Sequence, residues 1–344
     1  MISFNSSLTP IDALKLALTL PDSAWWLPAA TVPSCDVCDA MVLGVSLVLW
    51  RADEQWHAAA NQCPHRGARL SDGCVKHSHL QCPYHGWGFD TQGTCQLIPA
   101  APDFKPPATH RIAVIQVIAY AGLLWVQLKP DADSPLPQNI YPEHTAAAHT
   151  AGVLDVLVGP YDVNTSAARA VENFLDVSHF GTVHAGWLGD AGHMAVPAYT
   201  VINDQVSATA TGVRAWQPQS QATVSEGAWV DYTYRIAHPS CAQLSKLPSI
   251  EGGLQESIAM WAVPLGHESC RLWFSLCMAD VGQGAAKVSA FQHTIFLQDK
   301  PILEGQHPRA LPLDAQAEKH SAADRLSSAY RGLLKRWQIT MGTC

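Results

Sequence analysis

The chain has 344 residues, 48% of them apolar and 15% charged. That is enough apolar sequence for a core in each of two domains and too much for disorder. Its formal charge of −8 lacks the basic footprint of a nucleic-acid binder, which leaves small molecules and protein partners. Ten cysteines over this length are too dilute for a disulfide scaffold.

Residues 1–22 read as a short amphipathic helix stopped by Pro21. Asp12 and Lys15 interrupt its apolar run and no basic stretch precedes it, which argues against a signal peptide. From Trp25 to about Leu128 the texture is β, with short apolar runs between turn signals such as Ser71-Asp72-Gly73 and Thr91-Gln92-Gly93. The longest uncharged apolar run, Ile112 to Leu128, is broken by Tyr120-Ala121-Gly122 and fits two strands better than a bilayer span. With no membrane segment in view, a cytoplasmic protein with reduced thiols is expected. Pro130, Pro135, Pro137 and Pro142 then mark a domain boundary.

Beyond it a strand is expected at 153–164, a helix from Ala167 to His184, and β runs at 199–216, 228–237, 255–264 and 270–279. Helices are expected at about 285–304 and 321–338. Strands flanked by helices in this order predict an α+β fold with a sheet wrapped around long helices.

Two clusters carry chemistry. In the first, Cys63-Pro-His65 is followed after a gap by Cys82-Pro-Tyr-His85, so each half offers one thiolate and one imidazole from a tight turn. Two Cys and two His suit a [2Fe–2S] cluster in which one iron keeps thiolates and the other takes imidazoles. The alternative is a structural Cys₂His₂ zinc site, for which the spacing is unusual. Pro64, Pro83, Gly67 and Gly86 would stiffen the loops or admit close backbone approach. By contrast Cys35-x-x-Cys38 has no second pair at metal-ligand spacing and reads as ordinary loop thiols.

The second cluster lies on the helix expected at 167–184. Asn173, Asp176 and His179 step by three and share a side, while His184 lies five further on, rotated by about 140° on a regular helix. Gly181 between the two His residues would loosen or end the helix there and let both imidazoles converge. Two His and one carboxylate make a site for non-haem Fe(II) with positions left open. For the carboxylate, Asp299 in an apolar helical stretch and Glu304 one turn on both remain open. The other reading of the Asp/His pair is a satisfied polar pair on a helix.

CPHRGA…CPYHGW resembles the signature of Rieske iron–sulfur domains, and the two clusters together resemble the oxygenase component of the Rieske non-haem iron oxygenases. The likeness runs from about Trp25 to Glu304. The segments QCPYHGW…G-x-CQLIPA, ENF-x-D-x-SHF-x-x-x-H and DKP-x-x-E-x-Q are similar to those of methylxanthine N-demethylases. LGV-x-LVLWR and H-x-GWLGD are similar to those of alkaloid-toxin hydroxylases.

The resemblance implies an all-β Rieske domain, here 23–135 after the N-terminal helix 1–22, then a helix-grip catalytic domain, here 136–344, in a homotrimer. It implies Cys63, His65, Cys82 and His85 as cluster ligands, and His179, His184 and Asp299, not Glu304, as ligands of a mononuclear Fe(II). Asp176 would match the acid that bridges a cluster-ligand His of the adjacent subunit to an iron-ligand His, and Asn173 a position beside the iron. The chain holds no G-x-G-x-x-G dinucleotide fingerprint, so electrons from NAD(P)H would arrive through a separate reductase.

The expected activity is that of a monooxygenase using O₂ to demethylate (N- or O-) or hydroxylate a small aromatic or heterocyclic substrate. The alternatives are a ring-dihydroxylating dioxygenase, whose large subunits are typically longer, and a Rieske electron carrier, which would need only residues 25–130. Candidates for the pocket wall are Trp216, Trp229, Tyr232, Tyr234, Trp261 and His293, each with core packing as its other reading. Trp187 and Asp190 would shape the entrance or cap a turn.

Overall fold

The computed structural model describes residues 8–218, 227–246 and 255–344. The chain divides into two compact units at Pro137/Gln138.

The first unit is built on β-structure. One six-stranded antiparallel sheet runs in the order Leu27–Thr31, Leu123–Gln127, Val114–Tyr120, Gln55–Ala60, Val45–Ala52, Val37–Val42. A four-stranded sheet follows the chain through Cys74–Lys76, His79–Gln81, Gly88–Phe89 and Cys95–Leu97. A buried cluster including Trp50, Leu70, Leu80 and Phe89 draws on both sheets and contains Cys63 and Cys82. The long apolar run is a hairpin: Tyr120 pairs with Leu123, and Ala121 (φ 49°) and Gly122 (φ 74°) supply the left-handed turn. The N-terminal helix is shorter than expected. It spans Pro10–Ala17, capped by the Thr9 side chain, and Pro21 opens a separate 3₁₀ turn, Pro21–Ala24, instead of merely ending the helix.

The second unit carries seven antiparallel strands in the order Val153–Val163, Ser269–Ala279, Glu256–Gly266, Cys241–Lys246, Ala228–His238, Ala208–Gln217, Thr200–Asn203. The β run expected at 199–216 is two strands, because Asp204 accepts from the Ser207 N–H (2.6 Å) and turns the chain. Cys241–Lys246 was not expected as a strand. Its Cys-Ala-Gln-Leu-Ser-Lys sequence lacks β-branched residues, and its pairing with both neighbours creates it.

Helices cover both faces of the central strands, which is why Glu256–Gly266 and Ser269–Ala279 are buried in continuous runs rather than alternately. Ile258 and Met260 face a cavity lined by the helices Ala167–Leu175 and Gly284–Gly305. Ser257 and Trp261 meet the helix Pro142–Ala148. That helix lies in the segment whose prolines signalled only a boundary; Pro137 and Pro142 each open a short helix. Its His144 sits between the hydroxyls of Ser257 (2.8 Å) and Ser275 (2.9 Å), and burial lowers its pKa to about 4. Among the described residues no helix is long and apolar enough to cross a membrane.

Candidate redox and metal centres

The two Cys/His loops of the first unit share one backbone design. Cys63 N–H donates to Ala68 O (2.8 Å) and Gly67 N–H back to Cys63 O (2.9 Å). Likewise Cys82 N–H donates to Trp87 O (2.9 Å) and Gly86 N–H to Cys82 O (3.0 Å). Each turn closes only because the glycine four residues after the Cys is left-handed, Gly67 at φ 73° and Gly86 at φ 71°. The loops differ in where the His stands, two residues after Cys63 and three after Cys82.

Across the loops the side chains pair by type. Both thiols are buried beside each other, and burial, with Cys82 alongside, pushes the Cys63 thiol up to about 12. The rings of His65 and His85 lie 4.5 Å apart. His65 Nδ1 is buried with no protein partner among the described residues, and the ring is held flat against Trp87 (4.5 Å, 8°). Two buried thiols on one side and an orphaned imidazole nitrogen on the other fit a two-iron cluster with unlike ends. Cys35 is exposed and Cys38 half-buried.

In the second unit the helix expected from Ala167 to His184 stops at Leu175. Asp176 is extended (φ −93°, ψ 129°) and a separate short helix covers Phe180–Val183. Asp176, not Gly181, makes the break: its Oδ1 accepts from the N–H (2.7 Å) and hydroxyl (2.5 Å) of Ser178. Gly181 serves packing instead. A Cβ there would lie 2.9 Å from Asp190 O and 2.3 Å from Met194 Sδ.

This break aims both imidazoles at one point. His179 Nδ1 donates to Asp176 Oδ2 (3.2 Å) and His184 Nδ1 to Gln298 Oε1 (2.8 Å). Both Nε2 atoms therefore point at one spot, 3.2 Å apart. Asp299 Oδ1 lies 3.4 Å from His179 Nε2 and 3.2 Å from His184 Nε2. Asn173 Nδ2 donates to the same oxygen at 3.5 Å. Burial alone would depress the His179 pKa, but hydrogen bonds to Asp176 and Asp299 and their charges raise it to about 9, so a cation binding there would displace the proton from Nε2. Three acceptors converging within 4.8 Å are what a divalent cation needs, and the two Nδ1–H bonds fix the rings as they do around bound metals. Glu304 is elsewhere. It accepts from Asn164 N–H (3.0 Å) and Nδ2 (3.2 Å) and pairs with Lys300.

Beside this triad lies a cavity. Its wall is mostly aromatic and aliphatic, with Phe174, Phe180, Phe274 and Phe296 among its members.

Residues 25–116 match the Rieske [2Fe-2S] domain, and residues 163–338 the vanillate O-demethylase oxygenase C-terminal domain. The methylxanthine N3-demethylase NdmB of Pseudomonas putida is 30% identical over 324 residues, 89% of this chain and 87% of that protein. The solved structure of Pseudomonas putida CBB5 NdmA with caffeine superimposes with a TM-score of 0.78 at 26% identity, covering 91% of this chain and 90% of that one. The oxidoreductase NdmD of Pseudomonas putida is 35% identical over 116 residues, 32% of this chain and 20% of that protein. The chain belongs to the Rieske non-haem iron oxygenases. It is a terminal oxygenase of the monooxygenase type, close to the methylxanthine N-demethylases and aryl O-demethylase oxygenase components.

Of the aromatic residues singled out in the sequence, only Tyr234 lines this oxygenase's cavity. Trp216 stacks on His193 (4.3 Å), Trp261 packs on Tyr141 (5.7 Å), and the Tyr232 hydroxyl accepts from Gln217. Trp229 is partly exposed, and His293 bonds the Tyr161 hydroxyl (2.9 Å). Asp190 caps a turn through Gly192 N–H (2.6 Å) and His193. Trp187 is exposed beside Phe291. The phenylalanines of the wall were missed, although the motif itself carries Phe174 and Phe180 beside its polar residues.

A second missed feature holds the helix Ala167–Leu175 in place. Arg331 makes a two-pronged pair with Glu172 (2.6 and 2.8 Å) and bonds Glu318 (2.5 Å). Arg169, its side chain 3% exposed, also bonds Glu318 and the carbonyl of Pro308. These residues line an open polar basin that Asp176 and His179 share.

Proposed function

We propose that this oxygenase removes methyl groups from the nitrogens of a flat, methylated heteroaromatic, releasing formaldehyde. The observation that carries the reading is the aromatic-walled cavity opening beside His179, His184 and Asp299. Its walls suit a planar ring system, and the whole-length similarity to methylxanthine demethylases supports the same class.

Cys63 and Cys82 would hold one iron of the [2Fe–2S] cluster and His65 and His85 the other, with His179, His184 and Asp299 on the mononuclear iron. When bound, these centres supply electron transfer and O₂ activation. The protein's part is placement. The apolar wall excludes water and holds the ring, so a methyl C–H rather than a ring edge faces the triad. Asn173 and Gln298 hold Asp299 and His184 in position. Overall O₂, two electrons and two protons convert an N-methyl group to N–H, formaldehyde and water.

The electrons come from NAD(P)H through a separate reductase, and the assembly is a cytoplasmic homotrimer. Asp176 is suited to link two centres. Its Oδ1 is saturated by Ser178 and its Oδ2 bonds His179, leaving one lone pair towards the polar basin for a ligand His of a neighbouring subunit.

The test is a screen of caffeine, theobromine and aryl methyl ethers with a surrogate reductase, scoring formaldehyde against hydroxylated product, alongside iron analysis. Formaldehyde from the N-methyl compounds and near three irons per chain are expected. Hydroxylated product without formaldehyde replaces demethylation by hydroxylation, and two irons per chain leaves only an electron carrier.

A further inference from the structure

Tyr234 stands at the middle of the strand Ala228–His238, paired with Ala210 on one side and Leu244 on the other, and its side chain is fully buried. Its ring lines the cavity beside the triad and meets Phe174 edge-on, 6.2 Å between centroids at 77°. Its hydroxyl is buried and finds no hydrogen-bond partner among the described residues. Buried hydroxyls are nearly always bonded, and an unbonded one costs stability.

Two residues back on the same face, Tyr232 is the contrast: its hydroxyl accepts from Gln217 Nε2 at 2.5 Å. The fold thus provides an amide for one tyrosine and none for the next. Phenylalanine at 234 would fill the same space without an orphaned polar atom. The hydroxyl therefore points to a partner that is not part of the chain. Desolvation pushes its pKa well above the ordinary 10, so it stays protonated and keeps a proton to donate. The polar members of the cavity wall, Asn173, Gln292 and the triad, leave it unbonded, as do Tyr232, Asp176 and Tyr199, whose charges push its pKa further up.

We propose that Tyr234 determines specificity by donating a hydrogen bond to a ring carbonyl or ring nitrogen of the substrate. The inference rests on the demethylase reading above and narrows its substrate class to methylated heteroaromatics that carry such an acceptor. Because the hydroxyl is fixed on the sheet and the triad on helices, the span from the anchored acceptor to each methyl selects which methyl reaches the triad. A flat substrate with no acceptor is held by the walls alone, in no set orientation.

The experiment compares wild-type and Tyr234→Phe as full-length, metal-loaded protein. Each is titrated calorimetrically with caffeine, which has ring carbonyls and a ring nitrogen, and with 1-methylindole, a flat N-methyl compound with no acceptor. Thermal midpoints are recorded in parallel. The substitution is expected to raise the caffeine Kd about tenfold, the measure of one hydrogen bond. It should leave 1-methylindole where it was and the midpoint unchanged or higher. Among dimethyl products of caffeine turnover, the preference for one isomer should weaken.

A change that is equal for both probes, or no change for either, overturns the assignment. So does a midpoint lower by several degrees, because the hydroxyl then already serves the fold. If wild type binds 1-methylindole and releases formaldehyde from it but ignores caffeine, demethylation stands and the role of Tyr234 falls alone. If wild type binds neither probe, the heteroaromatic class fails and takes this inference with it.

Discussion

His179 and His184 are each fixed through Nδ1, by a carboxylate and by an amide, so that Nε2 faces the common point. Their meeting point lacks only a cation, and Asp299 supplies the negative charge. Asp299 itself is held ionised: burial pushes its pKa up, but both histidines outweigh burial and the net shift is downward. Asp299→Ala should therefore lose one iron of about three per chain and all product, while the cluster's visible spectrum persists. Glu304→Ala should keep its iron, since Glu304 is committed to Asn164 and Lys300. Metal analysis beside the spectrum checks both, and loss of iron from the Glu304 variant alone would reverse the assignment.

The helix Ala167–Leu175 is where residue chemistry becomes element geometry. Its far side is tied down by Arg169 and Arg331 through Glu172 and Glu318. Breaking a buried ion pair from one side leaves the other charge unpaired, at a cost of about 3–5 kcal/mol. Arg331→Ala should lose stability of that order in denaturant unfolding. Burial raises the Glu318 pKa, but the two arginines outweigh it and the net shift is downward. A carboxyl depressed on folding contributes stability above its unfolded pKa and loses it as pH falls through the folded one. Acid unfolding should therefore be shallower for Glu318→Gln, checked by unfolding at a series of pH values below the ordinary glutamate range. This lattice was not legible in the sequence, because its members lie up to 159 residues apart. The Cys/His loops were legible because their geometry is set within six residues and repeats twice. The helix break fell between these cases. A period of three in Asn173, Asp176 and His179 reads as one helix, and periodicity does not register the local Asp176–Ser178 hydrogen bonds that compete with helix and end it. The cavity wall depends on which face each sheet residue takes, and with both faces buried the alternation that would have revealed it is lost.

At the scale of the whole molecule the two chemistries belong to different units of the chain. The Cys/His loops lie in the unit ending at Pro137 and the triad in the unit beginning at Gln138. In the proposed trimer, each cluster serves the iron of a neighbour through Asp176. Asp176→Asn should then keep both metals and lose most turnover, because the amide can no longer accept through both oxygens. A sharper test mixes two inactive variants, His65→Ala, which lacks the cluster, and His179→Ala, which lacks the mononuclear iron. Neither has both centres in one chain. In a mixed trimer, however, an intact cluster from the second can face an intact iron from the first. Co-expressed and purified with separate tags, mixed trimers should regain part of the wild-type formaldehyde yield, whereas either variant alone gives none. Verified mixed trimers that stay inactive while both variants remain folded would place electron transfer within a single chain, and the bridging role of Asp176 would fall with the proposed route.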